Sequence, residues 1–247
     1  MFLLSTDTLR GYGLNRIFRF AKEAGYDGLE VALDSRLYDT QNADYLNELR
    51  QEYQLPIRVV RTFENASVQR STVAFELAKK VGAQTVVLEP PRLFDYHYKR
   101  WMRSEVPALR KKYGLHIALK NVASEFTWMI LPGRSMNNIT DLQDFKEVCL
   151  DVSNLYAKKI DLMRAYETLK PFMKHVHLSN VYRTQEHSMV DEGIMPVESF
   201  LTKLNRESYG SDVSLLVRPK AMEAGDDDKV MRNLKRAKSY YEKYMKS

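Results

Sequence analysis

Short runs rich in Val, Ile and Leu alternate with longer stretches of helical spacing from one end of the chain to the other. The short runs predict strands at 2–5, 28–33, 57–62, 85–89, 116–121, 148–151, 175–179 and 213–218. Between them the apolar spacing predicts helices at 13–24, 44–53, 67–81, 96–113, 141–147, 161–172, 197–208 and 226–246. Gly25, Gly82, Gly114 and Gly210 fall where helices should stop, each just ahead of the next strand. Eight strand–helix units in 247 residues is the arithmetic of a (β/α)8 barrel, expected as one domain over 1–247. The rival, an open doubly wound sheet, usually carries a glycine-rich phosphate loop after an early strand. No G-x-G-x-x-G or G-x-x-x-x-G-K-[ST] occurs here.

Composition sharpens this picture at a few points. With 44% hydrophobic residues the chain can bury a large core without covalent staples. The lone cysteine, Cys149, excludes an internal disulfide and any cysteine cluster for zinc or iron–sulfur chemistry, and is read as core. A reducing, cytoplasmic setting is expected, because 1–10 is too short in apolar residues for a signal peptide and no run approaches a membrane span. The net charge of +6 suits an anionic small molecule without demanding nucleic acid. The C-terminal helix, basic and carrying Tyr240, Tyr241 and Tyr244, reads as a solvated face plus a packing stripe rather than a nucleic-acid surface. The Asp226–Asp228 run suits a helix N-terminus. The apolar loop at 126–133 reads equally as a lid or as a subunit contact, which leaves a homodimer open.

Barrel strands alternate between an inward and a helix-facing side, and active sites of this fold lie where the strands end. Sorting by polarity sends Ile117, Leu119, Leu150, Val176, Leu178, Val213, Leu215 and Val217 outward. The same sort sends His116, Ala118, Lys120, Cys149, Asp151, His175, His177, Ser214, Leu216 and Arg218 inward. The ring of inward strand ends is then Ser5, Glu30, Arg61, Glu89, Lys120, Asp151, His177 and Arg218. Three cations, three anions and a histidine crowded into one mouth should pair and perturb one another's proton affinities, as in a functional pocket. An inert ion-pair plug would show the same ring.

Tyr26 to Val31, Ala118 to Asn121, Cys149 to Asn154 and His175 to Asn180, with His187-Ser188-Met189 followed by Gly193, carry a resemblance over nearly the whole chain. The sequence resembles the xylose-isomerase-like TIM barrels, which include sugar and sugar-phosphate isomerases and epimerases and endonuclease IV. The resemblance implies one divalent metal held by Glu, Asp, His and Glu from strands five to eight. Asp151 and His177 match, but Lys120 and Arg218 occupy the glutamate positions. Asn154 stands where the strand-six histidine would be, Asn180 where an acidic residue is common, and Arg183 matches the substrate-binding arginine of ketose epimerases. Each cation would repel a divalent ion by about 8 kcal/mol at about 4 Å and an effective dielectric near 20. The expectation is therefore no metal and no cofactor at the family position.

The expected activity is isomerase or epimerase chemistry on a carbohydrate derivative, with Lys120 and Arg218 replacing the metal's electrostatic role. Glu89 or Asp151 would be the base and His177 or His187 the partner acid. Glu30, Arg61, Arg183, His187 and Arg218 are the expected substrate-binding residues, with Arg61 and Arg183 gripping a carboxylate or phosphate. Two alternatives stand beside it: a pseudoenzyme that binds a metabolite in the old pocket, and Schiff-base chemistry through Lys120.

Overall fold

The computed structural model describes residues 1–123, 126–127 and 131–245. Eight parallel strands close into a barrel: β1 Phe2–Ser5, β2 Gly28–Ala32, β3 Ile57–Arg61, β4 Thr85–Leu88, β5 His116–Lys120, β6 Val148–Asp151, β7 Met173–Leu178 and β8 Asp212–Leu215. Each strand hydrogen-bonds its sequence neighbours, and β8 closes against β1 through Phe2 opposite Val213. Closure abolishes sheet edges, and the helices cover the outer face. The order matches the eight predicted units.

Local chemistry explains where the helices begin. Ser67 accepts from the Arg70 N–H at 3.3 Å ahead of Val68–Val81, and Asn138 and Asp161 cap Ile139–Phe145 and Leu162–Leu169 in the same way. Asp226 accepts from the Lys229 N–H at 3.2 Å at the head of Asp227–Met245, as the acidic run led one to expect. On that helix Tyr241 is buried and stacks on Phe2 with ring centroids 4.1 Å apart, so the tyrosines form a packing stripe. The predicted helix at 96–113 is two, Tyr96–Ser104 and Val106–Tyr113. Pro107 has no N–H to continue the first helix and suits the opening turn of the second. Among the described residues, no helix is long and apolar enough to cross a membrane.

The inward and outward sorting holds. Leu3, Val59, Val87, Ala118 and Cys149 form an apolar cluster inside the barrel, while Ile117, Leu119, Leu150, Val176, Leu178, Val213 and Leu215 join the larger core under the helices. Two corrections concern the ends. His116 lies at the lower rim with its side chain 51% exposed, its Nδ1 3.0 Å from Glu147, and does not fill the interior. The last strand stops at Leu215, because the chain then leaves the sheet: the Arg218 N–H donates to the His187 carbonyl at 2.7 Å. Arg218 is thus an exposed loop residue and not an inward strand end. Two hairpins were not predicted, Asn180–Tyr182 with Gln185–Ser188 and Phe126–Thr127 with Leu131–Pro132. The lid or subunit contact expected at 126–133 falls on a segment of which residues 128–130 lie outside the described residues, and nothing tests it.

Candidate functional site

The strand-end ring divides into two levels. The lower one centres on Glu30, fully buried in the barrel axis. Glu30 Oε2 lies 2.9 Å from His175 Nε2 and 2.8 Å from His177 Nε2, and Oε1 accepts from Ser5 Oγ at 2.9 Å. Ser214 Oγ lies 2.9 Å from His175 Nε2, and His177 Nδ1 lies 3.6 Å from Asp151 Oδ2. Glu30, Asp151, His175 and His177 are all 0% exposed. Burial opposes the charge on Glu30, yet His177 and His175 outweigh it and hold the carboxyl well below the usual carboxylate range. Burial likewise opposes a charge on His177, but Cys149, Glu30 and Asp151 carry its imidazolium well above the ordinary value. Asp151 is held at about 2 against its burial by His187, His177 and Lys120. For His175 burial wins, and the ring is neutral.

Above this lies a cavity of about 450 Å³ at the carboxyl ends of the strands, where active sites of this architecture lie. Glu89, Lys120, Arg61, His187 and Arg218 line it, together with Asp7, Arg10, Glu64, Arg134, Asn154 and Glu186. Lys120 Nζ pairs with Glu89 Oε1 at 2.7 Å, and Arg61 bridges Asp7, Glu30 at 3.6 Å and Glu89 at 3.7 Å. Arg61 therefore joins the two levels.

His187 comes from the second strand of the 180–188 hairpin, with its backbone in the left-handed region at φ 54. Its Nδ1 lies 3.2 Å from Ser153 Oγ, 3.3 Å from Ser179 Oγ and 3.3 Å from the Leu216 carbonyl. A carbonyl only accepts, so the Nδ1 proton is fixed there and Nε2 keeps its lone pair for the cavity. Burial pushes this imidazole below its ordinary value, so it is neutral near pH 7. The adjacent Glu186 carboxyl is raised, chiefly by burial.

The hairpin is held by Asn180, whose Oδ1 accepts from Val181 and Met195 N–H at 2.8 and 2.9 Å while Nδ2 donates to the Val190 carbonyl at 3.1 Å. An aspartate could not supply that donor. Gly193, at φ 148, passes so close that a Cβ there would sit 2.4 Å from Asn180 Oδ1, which requires glycine. Asn121 ties β5 to β6 by donating to the Asp151 carbonyl at 2.9 Å and accepting from its N–H at 2.7 Å.

Of the residues singled out from sequence, Glu89, Lys120, Arg61, His187 and Arg218 meet at the cavity, and Glu30, Asp151 and His177 lie beneath it. Arg183 does neither: it sits at the exposed hairpin tip, its guanidinium 5.3 Å from the Tyr182 ring centroid. Sequence reasoning passed over Asp7, Arg10, Glu64, Arg134 and Glu186. Asp7 and Glu186 carried a local signal, each being an acid within two residues of a residue already marked, Ser5 and His187.

The donors at the family metal position do not fit a divalent ion. Asp151 Oδ2 and His177 Nδ1 face each other, the strand-five group is an ammonium committed to Glu89, and the strand-eight side offers apolar Leu216 with Arg218 at the rim. Two donors facing a cation fall short of the three or more protein ligands such sites keep.

Residues 18–239 match the model of a family described as xylose isomerase-like TIM barrel. The crystal structure of a D-tagatose 3-epimerase-like protein is similar, at 19% identity and TM-score 0.71, covering 99% of this chain and 98% of that one. So is IolI protein with a bound zinc atom, at 17% identity and TM-score 0.74, covering 98% of each chain. An uncharacterized protein of Mycobacterium tuberculosis is 25% identical over 128 residues, 48% of this chain and 45% of its own length, so the chain spans under half of that relative.

Proposed function

The chain belongs to the xylose isomerase-like TIM barrel family, and from that premise we propose that it is a sugar or sugar-phosphate isomerase or epimerase that works on a small anionic carbonyl substrate without the family's divalent ion. The observation that carries this reading is His187: a neutral imidazole with its tautomer fixed by the Leu216 carbonyl, in the same cavity as the Lys120–Glu89 pair.

In this reading His187 Nε2 takes the proton from the carbon beside the substrate carbonyl, and the electron pair moves into an enediolate. Lys120 Nζ meets the charge that develops on the carbonyl oxygen, the electrostatic task a metal would otherwise perform. Return of the proton to the former carbonyl carbon, with the proton of the neighbouring hydroxyl passing to the former carbonyl oxygen, gives the isomer; delivery to the opposite face of the same carbon by the protonated Glu186 carboxyl gives the epimer. Arg61 and Arg218 hold the substrate's anionic group. Asp151 acts at one remove, through Ser153 Oγ, 3.3 Å from its Oδ1, which in turn touches His187. His177 fixes Asp151 from below.

The test is deuterium exchange. A panel of aldoses, ketoses and their phosphates is incubated in heavy water with a chelator, and label beside the carbonyl is followed by NMR. The reading expects exchange with the wild type and its loss in His187→Asn. Exchange that appears only on adding a divalent ion sinks metal independence. Ligand-induced thermal shifts with no exchange from any substrate would replace the reading by a non-catalytic metabolite binder. Schiff-base chemistry would need the Lys120–Glu89 pair to open, and borohydride trapping that adds no mass to Lys120 removes it.

A further inference from the structure

The lower level of the barrel contains a donor set that touches no substrate in the proposed chemistry. Cys149 on β6 and His175 on β7 are register partners on adjacent strands, and His177 lies one inward step above His175. Cys149 Sγ and one ring nitrogen of each histidine all lie within 4.8 Å of one another, and all three residues are fully buried. Both Nε2 atoms are held by one carboxylate oxygen of Glu30, whereas Nδ1 of His175 and Nδ1 of His177 are buried without a hydrogen-bond partner. Asp151 Oδ2, 3.6 Å from His177 Nδ1, is also without a hydrogen-bond partner.

Buried polar atoms left unpaired are costly: His177 Nδ1 and Asp151 Oδ2 face each other only as an ion pair at 3.6 Å, and His175 Nδ1 has no hydrogen-bond partner, so the cluster calls for something that satisfies it. A carboxylate holding one nitrogen of an imidazole while the other stays free is the arrangement that orients metal-binding histidines. One thiolate and two imidazoles form a soft set suited to zinc and its neighbours rather than to magnesium or calcium. Metal–nitrogen bonds of about 2.0–2.1 Å and metal–sulfur bonds of about 2.3 Å would need these donors to draw together by roughly 1 Å. We propose that Cys149, His175 and His177 form a zinc-class metal site inside the barrel, below the cavity and one step lower than the family position, with which it shares His177, and with Asp151 as a fourth donor. Binding releases the Cys149 thiol proton and any proton on the ligating nitrogens to solvent. Because the site is closed to solvent, the ion enters before the barrel closes.

The full chain, unfolded and refolded anaerobically with Co(II), tests this. The expected result is one ion per chain, resistant to chelator, with the visible bands of tetrahedral cobalt and a near-ultraviolet sulfur-to-cobalt band. Cys149 is the chain's one cysteine, so that band reports this site even if variants fail to fold. X-ray absorption on zinc-refolded protein should show a single sulfur near about 2.3 Å. Cys149→Ser should lose the sulfur band and Lys120→Met should keep it. No stoichiometric uptake, or uptake with no sulfur ligand, overturns the proposal. The cavity reading is judged separately, by whether His187→Asn abolishes exchange in protein of the same metal content.

Discussion

The two levels of the barrel interior are built from the same kinds of side chain and differ in what those side chains can reach. Below, Glu30, His175, His177 and Asp151 meet one another, nearby serines, the Asn154 N–H and Arg61, at 2.8 to 3.6 Å and with no exposure of their own. Above, Glu89, Lys120 and His187 have protein on one side and a cavity on the other. Glu30 pairs in register with Val59 on β3, and Arg61 lies one inward step, about 6.6 Å, further along that strand, so two residues that both close a strand pattern stand at different depths. Ionisable side chains near strand ends are therefore not one site, and depth decides whether a charge holds the fold together or meets a ligand.

The largest effect should come from breaking the lower level. Glu30→Gln keeps the shape but leaves the His177 imidazolium without its central anion, and should cost about 3–5 kcal/mol of unfolding free energy by denaturant titration. A loss under about 1 kcal/mol would mean that solvent reaches this cluster, which would erase the distinction between the levels. The upper level should answer the other way. His187→Asn is expected to lower the exchange rate about 10²–10⁴-fold with little change in the unfolding midpoint. A variant that loses stability and keeps its rate would place His187 with the lower group.

The alternation of strands and helices was legible because burial on the two sides of a barrel strand imposes periodicity, and so was side-chain direction: Ala118 and Cys149 lie inside, Ile117 and Leu119 outside. Depth was not legible, since it depends on the stagger between neighbouring strands, and Glu30 was placed with Arg61 on that account. Nor was the 180–188 hairpin, whose polar residues give no strand pattern; without it nothing shows that His187 turns Nδ1 toward Ser153, Ser179 and Leu216. Asp7, Glu64 and Arg134 reach the cavity from segments far apart in sequence. Asn121 and Asn180 look like site residues in the sequence and prove to be staples, because an amide can give and accept at once.

A smaller effect follows from pH. Burial lowers the proton affinity of His187, so its basic form persists below the ordinary imidazole value of 6.5. The acid limb of kcat/KM for exchange should have its midpoint below that value. Stability carries the same sign: as pH falls through 6.5 the unfolded chain takes up this proton first, so His187 subtracts stability on the acid side and has no effect above it. Comparing unfolding curves of wild type and His187→Asn across this range isolates the contribution. A limb above 6.5 would mean that the ring is charged in the cavity and acts as an acid.

The smallest effect should separate two arginines that the sequence put together. Arg218 lines the cavity, whereas Arg183 stands in left-handed backbone at φ 52 on the exposed turn beyond it. A charge-assisted hydrogen bond lost from the cavity costs about 1.5–3 kcal/mol, so Arg218→Gln should raise KM for a phosphorylated substrate by about tenfold or more. Arg183→Gln should change KM by less than about twofold and stability by less than about 0.5 kcal/mol. If Arg183 proves the costlier of the two, the hairpin must fold over the mouth when substrate binds. The upper level would then be completed by a residue that the unliganded fold holds away from it.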